Sequence, residues 1–303
     1  MSKEHNFLSA VVYLENETPQ SLDFLQTLVS CLDEHFLQYE IIVVNAGGGQ
    51  SSTGGLRAWA QGIAKPLTMV NMSSGQPHEQ CMNAGLDITV GDYIYEFDAA
   101  IMSYPKEMIF QAYETAMQGS DIVTVCPKEE KGSSRLFYSL FNRHNGSAHN
   151  LRTDAFRLVS RRALNRVHAI NENLPYRKAA YASCGLKSTE LEFTSKTGKQ
   201  ATKADDPAEL AIDSLILYTN FGYRFTLGFS LFMLLGTVAM GIYALTSYLT
   251  GHPINGWTTT MLALTAGLAG LFIILTIMLK YLSLILKLIF QKQSYLVESI
   301  EKL

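Results

Sequence analysis

The run Glu40-Ile41-Ile42-Val43-Val44-Asn45-Ala46-Gly47-Gly48-Gly49 decides the fold of the N-terminal part of this 303-residue chain. Its first half is rich in β-branched residues, which favour a buried strand, and it stops abruptly at small residues and three glycines. Before it, Phe7–Leu14 is a short apolar strand and Thr18–His35 has helical periodicity. Strand, helix, strand and glycine turn in this order predict the start of a parallel α/β sheet.

The alternation of strands and helices continues beyond this turn. The predicted elements are a helix over Gly54–Gln61, a strand over Pro66–Val70, a helix over His78–Leu86, a strand over Asp92–Phe97, a helix over Pro105–Met117 and a strand over Asp121–Cys126. We therefore expect residues 1–206 to form one cytosolic α/β domain with a mostly parallel sheet. Ligands of such sheets bind outside the carboxyl ends of the strands.

Two apolar runs, Phe225–Leu249 and Trp257–Leu279, follow the predicted α/β domain. Each is close to the ~20 residues that an α-helix needs to cross a bilayer, and neither contains a charged side chain. The alternative is a pair of buried core helices, but apolar runs of this length are uncommon in soluble domains. The sequence therefore predicts a two-helix transmembrane hairpin that holds the chain in a lipid bilayer.

Positive charges flank the hairpin on one side only. Arg224 precedes the first run and Lys280, Lys287 and Lys292 follow the second, whereas the link Thr250–Gly256 contains neither Lys nor Arg. This asymmetry predicts a multi-pass protein of the inner or plasma membrane with both termini cytoplasmic.

The segments that border the hairpin alternate apolar and polar residues. The pattern predicts an interfacial amphipathic helix over 207–224 and a cytosolic amphipathic tail over 280–303. The polar start Met1–Phe7 predicts no signal peptide, so that insertion would depend on the late hairpin.

Charge and cysteine content exclude two classes of protein. The net charge of −3 argues against a general nucleic-acid binder. The cysteines lie far apart and form no Cys-x-x-Cys pair, which argues against a zinc cage or a disulfide framework; they are Cys31, Cys81, Cys126 and Cys184.

A series of short motifs over nearly the full length resembles a known family. In order they are Val11-Val12-Tyr13-Leu14-Glu15-Asn16-Glu17, Glu40–Val44 with its glycine turn, Asn83-Ala84-Gly85-Leu86-Asp87, Gly91-Asp92-Tyr93-Ile94 leading to Phe97-Asp98-Ala99, Arg135-Leu136-Phe137-Tyr138, Phe141-Asn142-Arg143, Ala155-Phe156-Arg157-Leu158 with Arg161-Arg162, and Leu174-Pro175-Tyr176-Arg177. No single motif is specific, but their order is similar to that of family 2 glycosyltransferases of the GT-A type. With the hairpin, the chain resembles the polyprenyl-phosphate glycosyltransferases, which include the dolichol-phosphate-mannose-synthase-like and bacterial undecaprenyl-phosphate enzymes.

The resemblance implies transfer of a sugar from a nucleotide-sugar donor to a polyprenyl phosphate, with inversion at the anomeric carbon. It also implies roles for residues at matching positions. Donor binding falls to Tyr13, Leu14, Glu15, Glu17, Asn45, Asp98 and Ala99, and binding of the phosphates to Lys131, Arg135, Arg143 and Arg157. Catalytic roles fall to Asp98 and Asp154, and Asp98 is also the implied ligand of Mg²⁺ or Mn²⁺. The alternative for the basic residues is a solvated surface charge or a contact with lipid headgroups.

The sequence departs from this family at four acidic positions in three motifs. Asn45 and Ala46 stand where relatives have two aspartates, and Ala100 stands where the Asp-x-Asp metal motif has its second aspartate. Ala155 directly precedes Phe156 where relatives have a further aspartate, although Asp154 is one residue away. Alternatively, Asp154 belongs to a turn, or caps a helix over Phe156–Leu164 with Thr153 as a competing cap.

Two functional hypotheses follow from these departures. The first is an active transferase with a weakened metal site. The second is a silent relative that binds nucleotide-sugar, lipid phosphate or a partner membrane protein. The resemblance also makes a homo-oligomer plausible.

Overall fold

The computed structural model describes residues 3–47, 53–62, 65–73, 75–128, 152–170, 177–194, 221–250, 256–289 and 295–303. The chain divides into a sheet unit, Met1–Ser214 with Phe290–Leu303, and an apolar unit, Leu215–Ile289. The sheet unit therefore includes the last residues of the chain, which the division predicted from the sequence did not anticipate.

The sheet unit is built on one mixed sheet. Its strands are β1 (Leu8–Leu14), β2 (Tyr39–Asn45), β3 (Leu67–Met72), β4 (Tyr93–Phe97), β5 (Ile122–Pro127), β6 (Phe156–Ser160), β7 (Ser188–Phe193) and β8 (Val297–Lys302). Their order across the sheet is β7-β5-β6-β4-β1-β2-β3-β8. Only β6 and β8 run antiparallel to their neighbours among these strands, so the predicted mostly parallel sheet is confirmed.

Six helices of the sheet unit lie within the described residues. They are α1 (Pro19–His35), α2 (Gly54–Ala60), α3 (His78–Asp87), α4 (Glu107–Met117), α5 (Arg161–Ile170) and α6 (Arg177–Ser183). The first begins where the sequence supplies a capping box. Thr18 Oγ1 accepts from the Ser21 amide at 3.1 Å, and the Thr18 amide donates to Ser21 Oγ at 2.9 Å.

The two faces of the sheet are packed differently. On one face, Phe97 contacts Phe24 of α1 with ring centroids 5.3 Å apart, and the Tyr95 hydroxyl donates to the Ile109 carbonyl of α4. On the opposite face, α3 lies very close to β1 and β2, because a Cβ at Gly85 would be only 2.5 Å from Val44 Cγ2. Glycine at this position therefore permits the close helix–sheet contact.

The C-terminal segment corrects one sequence-based expectation. The predicted amphipathic tail over 280–303 is not one element, because Val297–Lys302 is β8 and pairs antiparallel with β3. Most of the side chains of β8 are exposed, so that backbone pairing and polar contacts, not burial of apolar surface, hold the strand. An edge strand of this kind has little hydrophobic pattern in its sequence.

The apolar unit contains α7 (Phe221–Leu249) and α8 (Trp257–Ile289). The two helices contact each other through Ser230 and Thr276, whose hydroxyl oxygens are 2.8 Å apart, and through the rings of Tyr243 and Trp257. Within the described residues, one stretch is long and apolar enough to cross a membrane, the 24 residues Thr259–Leu282 of α8; in α7 the apolar stretch Gly228–Tyr243 is shorter. Of the predicted interfacial helix, 207–220 lies outside the described residues and 221–224 forms the start of α7.

Candidate functional site

The turns after β1 and β2 meet at the carboxyl edge of the sheet. The Ala46 amide donates to the Leu14 carbonyl at 2.9 Å, and a Cβ at Gly47 would lie only 2.4 Å from the Glu15 carbonyl oxygen. Gly47 is therefore required by the close approach of the two turns. Beside them the rings of Tyr13 and His78 are in contact, with centroids 4.3 Å apart.

Glu17, a predicted donor-binding residue, has a structural partner in this region. Its Oε2 accepts a hydrogen bond from the Leu56 amide at 3.1 Å, at the start of α2. The carboxylate thus satisfies a backbone donor in the first turn of that helix, which has no partner within the helix.

Asn45 belongs to a chain of polar contacts that we call the edge network, consisting of Asn45, Asn71, Ser299, Glu301 and Arg57. Asn45 is buried, and its Nδ2 donates to Asn71 Oδ1 at 2.9 Å. Asn71 Nδ2 in turn donates to Ser299 Oγ and to Glu301 Oε1, and Arg57 forms a bidentate pair with Glu301. The network therefore links the carboxyl end of β2 to the C-terminal strand.

A second group of polar side chains, the ionic cluster, lies where the carboxyl end of β4 meets the amino end of the antiparallel strand β6. Its members are Glu79, Glu96, Asp98, Asp154, Arg157, Arg177, Lys178 and Tyr181. Glu96 and Arg157 are direct neighbours in the antiparallel pair β4–β6. Because Tyr95 and Phe97 face the apolar core, Glu96 between them faces the other side of the sheet.

Arg157 connects three carboxylates within the cluster. Its Nε donates to Asp154 Oδ2 at 2.9 Å, its Nη1 to Glu96 Oε2 at 3.3 Å and its Nη2 to Asp98 Oδ2 at 2.8 Å. The residue is only 1% exposed. Its role as a phosphate ligand stays a prediction, and its described partners are carboxylates.

Arg177, at the start of α6, also binds three carboxylates, and it shares two of them with Arg157. Its Nε donates to Glu79 Oε2 at 2.9 Å, its Nη2 to Asp98 Oδ1 at 2.5 Å, and its Nη1 to Glu96. Tyr181, one helical turn later, donates its hydroxyl to Glu96 as well. The i, i+4 spacing on α6 thus aims both side chains at the same buried carboxylate.

These ion pairs determine the protonation state of the carboxylates. Burial alone would raise the pKa of Asp98, but attraction by Arg177 and then Arg157 outweighs it and holds the pKa well below its usual range. The same opposition of burial and Arg177 lowers the pKa of Glu79 to about 2. Burial lowers the pKa of His78, but its hydrogen bond with Glu79 and the charge of Asp98 reverse this, so that the net shift is upward.

Asp154 is placed beside Asp98 by the shared guanidinium of Arg157. It is buried, and it also pairs with Lys178. The alternative that Asp154 caps a helix over Phe156–Leu164 is wrong, because Phe156–Ser160 is strand β6.

The structure brings together some of the predicted site residues and separates others. Asp98, Asp154 and Arg157 converge, whereas Lys131, Arg135 and Arg143 lie outside the described residues. Two arginines of the Phe156 motif lie at the opposite edge of the sheet: Arg161 donates to the Gly91 carbonyl and Arg162 pairs with Asp121.

Sequence reasoning missed five members of the cluster, which are Glu79, Glu96, Arg177, Lys178 and Tyr181. Arg177 lay in a quoted motif without an assigned role. The signal that could have revealed Glu96 is a carboxylate in the otherwise apolar and aromatic strand Tyr93–Phe97, since a charge buried in a sheet requires a partner.

The described residues do not fit a divalent cation at Asp98. Both of its carboxylate oxygens already accept from guanidinium groups, and Ala100 offers no ligand. Within the described ranges no three His, Cys, Asp or Glu side chains are grouped to hold a metal.

The sheet order and the polar residues gathered at the carboxyl edge define an α/β fold of the GT-A class. The family model for glycosyl transferase family 2 matches residues 9–185. The chain belongs to this family.

Three named proteins are similar in sequence to this chain. The chain is 25% identical over 193 residues to an uncharacterized glycosyltransferase, sll0501, of Synechocystis sp., in an alignment that covers 61% of this chain and 60% of that protein. It is 28% identical over 152 residues to undecaprenyl-phosphate 4-deoxy-4-formamido-L-arabinose transferase of Edwardsiella ictaluri, covering 48% of this chain and 46% of the relative. It is 22% identical over 270 residues to bactoprenol glucosyl transferase of Shigella phage SfX, covering 85% and 87%. The chain thus spans about 60% of the length of the first two curated relatives that it matches.

A solved structure shows the same fold. Glucosyl-3-phosphoglycerate synthase from Mycobacterium tuberculosis, in complex with Mn²⁺, uridine diphosphate and phosphoglyceric acid, matches 70% of this chain and 76% of that chain. The TM-score is 0.51 and the sequence identity 14%. At this identity the likeness establishes the GT-A architecture alone.

Proposed function

We propose that this protein is a membrane-anchored inverting glycosyltransferase that moves a sugar from a nucleotide-sugar to a polyprenyl phosphate. The observation that carries the proposal is the alignment with bactoprenol glucosyl transferase of Shigella phage SfX. The alignment covers 85% of the chain. The sheet unit makes up a smaller share of the chain than this, so the alignment must extend into the apolar unit. A transferase that acts on a bactoprenol acceptor needs both a sugar-nucleotide fold and access to the bilayer.

In this proposal the donor binds at the carboxyl edge of the sheet. The base and ribose lie against the ring pair of Tyr13 and His78, the backbone of the Leu14–Glu15 turn and Asn45. Ala99 lies two residues beyond the end of β4 at the same edge. Asp98 and Asp154 lie next to this border, and Arg157 holds both carboxylates in fixed positions. Arg157 therefore acts as a positioning residue.

The acceptor in this proposal is already an anion near neutral pH, so the reaction does not require a strong base. It does require cations that bind the lipid phosphate and stabilise the diphosphate leaving group. From the sequence we assign this role to Lys131, Arg135 and Arg143, whose guanidinium and ammonium groups suit phosphate oxygens.

We further propose that α7 and α8 cross the inner or plasma membrane as a hairpin with both ends cytoplasmic, after an interfacial helix over 207–224. Support comes from the apolar stretch of α8, the contacts between the two helices, and the absence of Arg and Lys from residues 225–279, which Arg224 precedes and Lys280 follows. The sheet unit would then work on the cytosolic side, next to the headgroups of polyprenyl phosphates.

A second function is favoured by a specific observation, the engagement of both Asp98 oxygens by arginines together with alanine at positions 46 and 100. A silent relative with this site would bind nucleotide-sugar, lipid phosphate, a partner membrane protein or a second copy of the chain without turnover.

The deciding experiment uses the full chain in lipid nanodiscs that contain undecaprenyl phosphate. Radiolabelled UDP-, GDP- and other nucleotide-sugars are added singly, in parallel with excess EDTA, Mg²⁺ or Mn²⁺, and label in the lipid fraction is measured. Transfer from one donor, abolished in Asp154→Asn but retained in the exposed control Asp23→Asn, is the expected result. No transfer from any donor, with lipid-phosphate binding retained, would establish the silent relative instead.

A further inference from the structure

The carboxylate of Asp98 occupies the position where the family resemblance implies a metal ligand, yet its two oxygens are already bonded. Arg157 Nη2 lies 2.8 Å from Oδ2 and Arg177 Nη2 lies 2.5 Å from Oδ1. We infer that the donor site of this protein operates without a divalent cation, because two buried guanidinium groups hold Asp98 in the place of the ion. This inference rests on the proposed transferase function.

The first argument for the inference is the number of contacts that a cation would have to break. To bind Asp98, an ion must either share with two guanidinium groups a carboxylate that is only 12% exposed, or displace one of them. The displaced group could not move into water, because Arg157 and Arg177 are 1% and 0% exposed and remain tied to other carboxylates. An ion would therefore add positive charge to a buried region that already holds two arginines.

The second argument is the charge balance of the cluster. The cluster contains four carboxylates and three cations. The carboxylates are Glu79, Glu96, Asp98 and Asp154, and the cations are Arg157, Arg177 and Lys178. His78 lies beside Glu79 and adds a fourth positive charge when it is protonated. The cluster is thus close to neutral without any ion. In sites built for Mg²⁺ or Mn²⁺, unpaired carboxylates carry excess negative charge that the ion neutralises.

The third argument is the absence of further ligands. Position 100 carries a methyl group that is 7% exposed, so that no second carboxylate of the motif is available. In the described part of the chain no three His, Cys, Asp or Glu side chains are grouped to hold a metal ion. The other carboxylates of the ionic cluster, Glu79, Glu96 and Asp154, already pair with Arg157, Arg177 or Lys178. Water and substrate phosphates would have to supply all coordination beyond Asp98. One carboxylate can suffice for Mg²⁺ in such a site, but that of Asp98 is already shared by two guanidinium groups.

The test measures Mn²⁺ binding directly and does not depend on turnover. The full chain in nanodiscs is titrated with Mn²⁺ in the presence and absence of UDP or GDP, and the signal of free aqueous Mn²⁺ is followed by electron paramagnetic resonance. Wild type, Asp98→Asn and the exposed control Asp23→Asn are expected to leave the same free signal as nucleotide with empty nanodiscs. Loss of signal in wild type and Asp23→Asn, but not in Asp98→Asn, would overturn the inference.

Transfer provides an independent measurement. Once a donor is identified, the rate in EDTA should equal the rate with added Mn²⁺ or Mg²⁺. A rate that falls by about a hundredfold in EDTA and returns with Mn²⁺ would contradict the inference, because a catalytic ion contributes several kcal/mol to the barrier. If Asp98→Asn fails to fold, the wild-type Mn²⁺ titration still decides. If no donor is transferred under any condition, the proposed function fails while the Mn²⁺ signal tests the inference separately.

Discussion

The carboxyl edge of the sheet contains two polar regions that are built in opposite ways. In the edge network, a buried amide chain leads from Asn45 through Asn71 to a partly exposed ion pair with side chains 24% and 26% exposed. In the ionic cluster, full charges lie at 0–16% exposure, and each arginine pairs with three carboxylates. A neutral network loses one hydrogen bond when one member changes, whereas a buried ionic cluster is left with an uncompensated charge. The two regions should therefore respond very differently to comparable substitutions.

The largest difference is expected for Arg177→Met, which keeps most of the side-chain volume and removes the guanidinium. Glu79, Glu96 and Asp98 would each lose a cation in a buried region, so we expect the free energy of unfolding of the sheet unit to fall by about 3–5 kcal/mol. The measurement is urea unfolding followed by the fluorescence of Trp59 in a Trp257→Phe background, because these are the two tryptophans of the chain.

Arg162→Met is the matched control for that variant. Arg162 also pairs with a carboxylate, Asp121, but its side chain is 72% exposed, so its loss should leave the free energy of unfolding almost unchanged. Equal losses in the two variants would show that burial does not distinguish the cluster from a surface ion pair.

The second prediction concerns acid. The pKa of Glu79 is lowered from its ordinary value of 4.5 to about 2, and that of Asp98 is lowered in the same direction. A lowered pKa in the folded state contributes stability that is present above the ordinary value and is lost as the pH falls towards the folded one. We therefore expect unfolding free energy to decrease as the pH falls from about 4.5 towards 2, the range between the two pKa values.

Glu79→Gln separates this effect from general acid unfolding. The variant cannot titrate at position 79, so its stability should depend less steeply on pH over the same range, while its stability at neutral pH is lower than that of wild type. Parallel pH profiles of the two proteins would show that the ion pair of Glu79 with Arg177 makes no contribution to acid sensitivity.

The third prediction tests the edge network with Asn45→Asp, which introduces the carboxylate that family relatives have there. The Asn45 amide donates to Asn71 Oδ1, and Asn71 cannot turn its own amide without losing Ser299 and Glu301. Two acceptors would face each other in a buried position, at a cost of about 1–3 kcal/mol in the same unfolding assay. Asn16→Asp, at an exposed position, is the control and should change stability by less than about 0.5 kcal/mol. A neutral effect of Asn45→Asp would mean that the network readily accepts a charge.

The sequence predicts the strands that local residue patterns specify, and it does not predict those that depend on distant pairing partners. The strands β1 to β5 follow from β-branched runs bounded by turn residues, and the predicted and observed strands overlap throughout. In contrast, the sequence predicts none of β6, β7 and β8, and the residues of β6 were assigned to secondary structure only through the alternative of a helix capped by Asp154. Ser188–Phe193 and Val297–Lys302 carry many polar side chains and little periodicity. Their pairing partners are distant in sequence, and tertiary context overrides local preference there.

The candidate site shows the same limit. The order of motifs identified Asp98, Asp154 and Arg157 as site residues, and the fold brings them together. The sequence could not show that Arg177 and Glu79, separated by 98 positions, would complete the ion pairs. A search for cations that bind phosphate treats every arginine as available, whereas burial decides which of them already serve carboxylates.

The smallest effect is expected for Arg57→Met at the outer end of the edge network. Arg57 pairs with Glu301 through Nε at 3.2 Å and Nη2 at 3.0 Å, and both side chains are about one quarter exposed. Water can solvate Glu301 after the change, and the carboxylate keeps its hydrogen bond from Asn71, so we expect a loss of only about 0.2–1 kcal/mol.

The assay is again Trp59 fluorescence, but Trp59 lies two residues from the substitution, so far-UV circular dichroism should be recorded in parallel. Arg57→Lys, which keeps the charge without the planar fork, should fall between wild type and the Met variant. If Arg57→Met instead cost as much as Arg177→Met, the last strand of the chain would depend on this ion pair for its place at the sheet edge, and the edge network would have to be regarded as ionic like the cluster.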